Sequence, residues 1–145
     1  MALNFGTYFD GGKVVKAGGE SVAFKPEDHE VIGLYFSAHW CPPCRGFTPE
    51  LAKYYNDLKA KNRTLEIIFI SSDKDETAFK EYFAEMPWLA LDFRHRETKN
   101  ELAQKFGVSG IPTLVFLKKD GSIATTNGRG EVMSDKDRTM SWLSK

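Results

Sequence analysis

Cys41 and Cys44 are the only cysteines in the 145-residue chain, and they stand three residues apart in Trp40-Cys41-Pro42-Pro43-Cys44-Arg45. Two thiols at that spacing can close one disulfide. If the strand before them ends near Ala38 and a helix begins inside the motif, Cys41 occupies the helix start and Cys44 lies one turn on, facing the same way. Unpaired N–H groups and the helix dipole favour a thiolate there, and a thiolate is the nucleophile of thiol–disulfide exchange. The pattern predicts that Cys41 attacks, with a pKa below the ~8.5 of a free cysteine, and that Cys44 resolves. Pro42 and Pro43 carry no N–H, so the Cys44 amide is the backbone donor expected at the Cys41 sulfur.

Other uses of the pair compete with this one. A zinc site needs about four ligands and would have to recruit His29, His39 or His95, none at a recognisable metal spacing. A purely structural disulfide this short constrains little of the unfolded chain. A buried, inert pair sits badly with two consecutive prolines between Trp40 and Arg45, which suit a surface loop. Trp40, beside the nucleophile, reads as an apolar platform that shields the dithiol and meets a partner protein. His39 and Arg45 read as tuning or solvated residues. Cys44 must lose a proton before it attacks; Asp73, at the end of the neighbouring strand, and a water molecule are candidate acceptors, while Tyr35 is a weak acid for the task.

The elements that position the pair follow from periodicity. Val31 to Ser37 is apolar on both alternating faces, as in a central strand covered on both sides, and leads directly into the dithiol. Beyond Cys44, the residues Phe47, Leu51, Tyr54, Tyr55 and Leu58 share one helical stripe, with Pro49 expected to kink it. Leu65 to Ile70 is a second buried strand, followed by a helix over Asp75 to Phe83 with Phe79, Tyr82 and Phe83 inward. This strand–helix–strand rhythm implies a parallel pair with a right-handed crossover. Met86 to Leu91 is an apolar segment started or bent by Pro87, with Trp88 in the core. A helix over Glu97 to Phe106 closes at Gly107. Ile111 to Leu117 is a strand with a proline at its entry, and Lys119-Asp120-Gly121-Ser122 predicts a type I′ hairpin turn into an antiparallel strand from Ile123 to Thr126. A last helix is expected over Asp135 to Leu143, capped by Ser134 or Asp135 and burying Met140 and Leu143. Residues 1–30, with Gly11-Gly12 and Gly18-Gly19 beside short apolar pieces, suggest a leading hairpin or meander.

Length and composition fit one globular domain over residues 1–145, with 1–30 an extension packed on the core. Twenty basic and twenty acidic residues give a formal net charge of zero, and their interleaving points away from nucleic acid. The start of the chain has no secretory pattern and no run approaches a membrane span, which predicts a cytoplasmic protein off the membrane. In that setting a lone Cys-x-x-Cys reads first as redox chemistry. Asn62-Arg63-Thr64 is a glycosylation sequon in form only, because it matters only in a secretory compartment.

With these parts in order, the chain resembles the thioredoxin superfamily. The apolar strand into Trp40-Cys41-Pro42-Pro43-Cys44, the proline at 49 and the distal Ile111-Pro112-Thr113 carry the resemblance over roughly residues 31 to 143. Tyr35 to Arg45 and the segment Tyr82 to Ala90 are similar to the tryparedoxin and nucleoredoxin branch. The resemblance implies an α/β thioredoxin fold, a central mixed β-sheet flanked by helices on both faces. It implies a thiol–disulfide oxidoreductase that needs no metal or organic cofactor and works as a monomer. Its electrons would come from an upstream reductase or a low-molecular-weight dithiol and pass to protein disulfides such as those of peroxiredoxins. Trp40, Pro42, Pro43, Ile111 and Pro112 would form the substrate-facing surface, with Tyr35, Asp73 and Arg45 as tuning or proton-transfer residues. It also implies a cis bond before Pro112, although cis accounts for only about 5% of X–Pro bonds and frequency alone favours trans. Tyr35 stands where thioredoxins carry a buried aspartate, and Ser72 where tryparedoxins carry a tryptophan. Nucleoredoxin resemblance allows a second reading, a redox-sensitive module that binds a signalling partner.

Overall fold

A computed structural model describes residues 3–9 and 13–144. In chain order the elements are α1 (Phe5–Phe9), β1 (Val14–Val15), a 3-10 turn (Pro26–Asp28), β2 (Val31–Ser37), α2 (Pro42–Ala60) and β3 (Leu65–Ser71). Then follow α3 (Glu76–Phe83), β4 (Leu89–Leu91), α4 (Arg96–Lys105), β5 (Thr113–Lys118), β6 (Ile123–Thr125), α5 (Gly128–Ser134) and a closing 3-10 turn (Ser141–Ser144). The strands form one sheet in the order β1-β4-β3-β2-β5-β6. β2 is parallel to β3 and β3 to β4, while the β2–β5, β5–β6 and β1–β4 pairs are antiparallel. This is the expected mixed sheet, and among the described residues no helix is long and apolar enough to cross a membrane.

All seven residues of β2 are buried, as its two-sided apolar pattern requires. Val31 and Tyr35 face one core with the buried stripes of α2 and α3, whereas Ile32, Leu34 and Phe36 face a second core with Phe5, Phe9 and Leu102. Helices therefore cover both faces. Gly33 leaves the room that Phe116 occupies, since a Cβ there would stand 3.1 Å from the Phe116 ring. Phe116 in turn stacks on Trp142 at 4.5 Å between centroids. Sheet and carboxyl-terminal segment are thus packed directly together.

Helix α2 is built for its place. Pro42 and Pro43 take its first two positions, where a missing N–H costs nothing, and Phe47, Leu51, Tyr54, Tyr55 and Leu58 are all buried. Burial of each large side chain contributes about 1.5–3 kcal/mol, so the stripe outweighs the ~3 kcal/mol of an interior proline at Pro49. The helix ends in a Schellman arrangement: Asn62 has φ 61°, its N–H reaches the Lys59 carbonyl, and the Arg63 N–H reaches that of Leu58. Asn62, the first residue of the formal sequon, therefore has a backbone reason to be asparagine.

Several expectations differ from the structure. The last helix spans Gly128–Ser134, not 135–143, because Asp135 bends the chain. Its carboxylate accepts hydrogen bonds from the Tyr54 hydroxyl at 2.6 Å and from the backbone N–H groups of Thr139 and Met140. Arg138 and Met140 then take positive φ, which no helix continues. Met140 is buried as expected, Trp142 fills the core beside it, and Leu143 is partly buried against the same core. The β5–β6 turn is not type I′, for only Gly121 has positive φ; Gly121 N–H bonds the Lys118 carbonyl, closing a three-residue loop. A Cβ on Gly121 would also strike the Leu3 backbone. At the amino terminus a short helix, α1, replaces part of the expected meander, with Phe5 and Phe9 packed edge-on against Phe24. The hairpin survives as Val14–Val15 turning through Gly18 and Gly19 to an isolated bridge at Ser21. Gly11-Gly12 lies outside the described residues.

Asp135 ties α2 to the carboxyl-terminal segment. Burial acts to raise its pKa, but the hydrogen bonds from Tyr54, Thr139 and Met140 outweigh that and hold it below the usual carboxylate range. A carboxyl depressed in the folded state adds stability above its unfolded pKa and loses it as the pH falls through the folded value. Asp135→Ala is expected to cost about 2–4 kcal/mol in urea unfolding at neutral pH. The deficit should shrink steadily below about pH 4; an unchanging deficit would contradict a role for the ionised carboxylate.

Candidate active site

β2 delivers the motif, and the end of β3 fixes the loop that carries it. The His39 N–H donates to Asp73 Oδ1 at 2.7 Å, the Ser72 N–H to the Ser37 carbonyl at 2.8 Å, and the Trp40 indole N–H to the Ser72 carbonyl at 3.1 Å. Cys41 is the N-cap of α2, in extended backbone, and its sulfur accepts the Cys44 N–H at 3.3 Å. This is the donor left by two prolines that have none. Cys41 and Cys44 form a disulfide with their Cα atoms 5.2 Å apart. Cys41 is 4% exposed and Cys44 fully buried, so the first sulfur is the one that solvent and substrate can meet.

Around the pair, Pro42 and Pro43 are exposed and Trp40 is 54% exposed, unusual for a large apolar side chain. Opposite them, the Ile111 carbonyl oxygen stands 3.9 Å from the Cys41 sulfur. The Ile111–Pro112 bond is cis, against the expectation from frequency and in line with the family resemblance, and Pro112 is buried just ahead of β5. The sequence-predicted residues Trp40, Cys41, Pro42, Pro43, Cys44, Ile111 and Pro112 are thus brought to one place. Trp88 is not part of it: it is buried edge-on against Tyr35 and Tyr55, as a core residue.

Tyr35, Thr48, Tyr82 and Ser37 form a buried hydroxyl chain beneath the dithiol, and of these the sequence argument singled out only Tyr35. Thr48 Oγ1 donates to the Cys44 carbonyl at 2.9 Å and lies 2.7 Å from the Tyr35 hydroxyl and 2.5 Å from that of Tyr82; Tyr82 is 2.9 Å from Ser37 Oγ. A carbonyl only accepts and a hydroxyl has one proton. The Tyr35 hydroxyl also lies 3.4 Å from the Cys44 carbonyl, so Thr48 and Tyr35 both reach that oxygen. The hydroxyl chain ends on the Cys44 backbone carbonyl, not on its sulfur. Burial also raises the Tyr35 pKa far above that of an ordinary phenol. Tyr35 lies beneath the helix start, against the Cys44 carbonyl and Thr48. The signal for Thr48 was its place four residues after Cys44 on the buried face.

Asp73, the other proton-acceptor candidate, is buried with both oxygens engaged, Oδ1 by His39 N–H and Oδ2 by the Ser71 hydroxyl at 2.6 Å. It anchors the motif loop. Behind it Arg96 donates to the Ser71 carbonyl at 2.8 Å and lies over the Phe93 ring. Burial lowers the Arg96 pKa, partly offset by the charge of Asp73. Arg45 is exposed and lines a cavity of about 310 Å³ with Trp40, His39 and Lys74. A larger cavity, about 540 Å³, lies between the β1 turn and α3 and includes neither cysteine. Among the described residues no three His, Cys, Asp or Glu side chains gather as metal ligands.

Comparison with known proteins agrees with this geometry. The Thioredoxin-like family model matches residues 28–123. The chain is 49% identical over 110 residues to a tryparedoxin of Trypanosoma brucei brucei, covering 74% of this chain and 75% of that one. It is 41% identical over 135 residues to human nucleoredoxin, covering 92% of this chain but spanning only 31% of that protein. Tryparedoxin II from C. fasciculata superimposes with a TM-score of 0.84 at 38% identity, covering 93% of this chain and 90% of the other, and a structure of tryparedoxin II complexed with glutathionylspermidine gives 0.82 at 37%, covering 93% and 94%. With the dithiol, the mixed sheet and these relatives in agreement, the chain belongs to the thioredoxin-like family, in its tryparedoxin and nucleoredoxin branch.

Proposed function

We propose that the protein is a protein-disulfide reductase in which Cys41 is the nucleophile and Cys44 the resolving thiol. The observation that carries this is the asymmetry of the pair: Cys41 at the helix cap with an N–H aimed at its sulfur and a trace of exposure, Cys44 fully enclosed one turn further in. In the reduced protein the Cys41 thiolate attacks one sulfur of a substrate disulfide. A mixed disulfide forms and the other substrate sulfur leaves as a thiolate. Cys44, after giving up its proton, attacks Cys41; the Cys41–Cys44 bond forms, the reduced substrate departs, and two electrons have passed to it. With Tyr35 held as a neutral phenol by burial and Asp73 engaged on both oxygens, water is the acceptor we assign to Cys44.

Trp40, Pro42, Pro43 and the Ile111-Pro112 edge would hold the substrate segment, the Ile111 carbonyl pairing with its backbone as an added strand. We assign substrates of the peroxiredoxin type and recharging by an upstream reductase or a low-molecular-weight dithiol, in keeping with the glutathionylspermidine bound by tryparedoxin II. No metal or organic cofactor enters this cycle. The protein would act as a monomer in the cytoplasm, where a reducing pool can return the pair to dithiols. Similarity to nucleoredoxin supports a second reading, a redox-sensitive binding module. Turnover separates them, because a module binds its partner without catalytic cycling.

Cys41→Ser is expected to abolish reduction of a model protein disulfide, and Cys44→Ser to accumulate covalent mixed disulfides visible on non-reducing gels. Retained turnover by the first variant would sink the assignment. Tyr35→Phe, which keeps the ring and removes one hydroxyl, should retain most of kcat while losing about 1 kcal/mol of stability. A loss of kcat of more than about tenfold, 1.4 kcal/mol of barrier, without matching destabilisation would restore Tyr35 as a proton-transfer residue.

A further inference from the structure

The cavity beside Trp40 has acids and cations in equal number, Asp73 and Asp75 against Arg45 and Lys74, yet they are not equally free. Asp73 is buried, accepts from His39 N–H and the Ser71 hydroxyl, and faces the charge of Arg96 behind it. Asp75 caps α3, accepting the Ala78 N–H at 2.8 Å, where the helix dipole offsets its charge. Arg45 and Lys74 are exposed, and among the described residues neither side chain forms a hydrogen bond or an ion pair. Arg45 and Lys74 are therefore the two unpaired charges at this mouth, while Asp75, also exposed, is engaged through Oδ1 at the α3 cap. His39, the remaining ionisable wall, is stacked flat on Tyr82. With a formal net charge of zero, the chain as a whole adds no long-range pull, and screening confines the effect to within about 8 Å.

Building on the reductase reading, we propose that this cavity is a specificity subsite for a carboxylate beside the attacked disulfide. Arg45 and Lys74 select protein substrates that carry Asp or Glu next to the reactive cysteine, and Trp40 supplies the apolar wall along which that segment lies. The two cations come from different elements, α2 and the loop after β3, and line the same cavity. Lys74 is remote in sequence from both cysteines, which makes it the cleaner probe. An exposed pair is worth up to about 1 kcal/mol, so the selection is modest and salt-sensitive.

Three otherwise identical peptide disulfides, with Glu, Gln or Lys flanking the attacked cysteine, test this with a neutral chemical dithiol as reductant. Wild type should reduce the Glu peptide with kcat/KM about fivefold above the Gln peptide at low salt, and the Lys peptide below both. In high salt the three should converge. Lys74→Glu should bring the Glu-to-Gln ratio to one or below and favour the Lys peptide; Arg45→Gln should lower the ratio in part. Equal rates on all three peptides, or a ratio unmoved by Lys74→Glu, would overturn the subsite alone. Reduction of none of them by wild type would overturn the reductase reading and the subsite with it.

Discussion

One hydrogen bond organises the active site: the Cys44 N–H directed at the Cys41 sulfur across the first turn of α2. It exists because Cys41 stops short of the helix while Pro42 and Pro43, already helical, offer no competing donor. Everything nearby keeps that turn in register. β2 runs fully buried to its end, the loop after it is held by Asp73 and by the Trp40 indole, and the Cys44 carbonyl is gripped from below by Thr48. If the loop slipped by one residue, the nucleophile would move off the cap and lose both donor and dipole.

The support beneath the dithiol is neutral. Where thioredoxins carry a buried acid, this chain places Tyr35 in a chain of four linked hydroxyls. Such a network stiffens the site without burying a charge, which would cost several kcal/mol if unpaired. It meets Cys44 at the backbone carbonyl rather than at the sulfur, so its effect falls on the rigidity of the helix start.

Much of this was legible in the sequence. β2, the stripe of α2, the burial of Phe79, Tyr82 and Phe83 and the helix end at Gly107, with its φ of 64°, follow from periodicity and backbone chemistry, because those forces are local. What was not legible depends on contacts far apart in the chain. Asp135 ends α5 by meeting Tyr54, 81 residues away, and Trp142 finds its place against Phe116. α1 is five residues long, too short for a period, and is held by Phe24. The hydroxyl chain escaped notice for the same reason: Thr48 and Tyr82 meet only when α2 and α3 pack on one face of the sheet.

The most direct test of the account is which sulfur reacts first. Brief alkylation of the reduced protein at neutral pH, followed by peptide mapping, reads this at single-residue level. The account predicts that Cys41 is modified well before Cys44, as its cap position and the complete burial of Cys44 require. Equal labelling of the two thiols, or modification of Cys44 first, would contradict it.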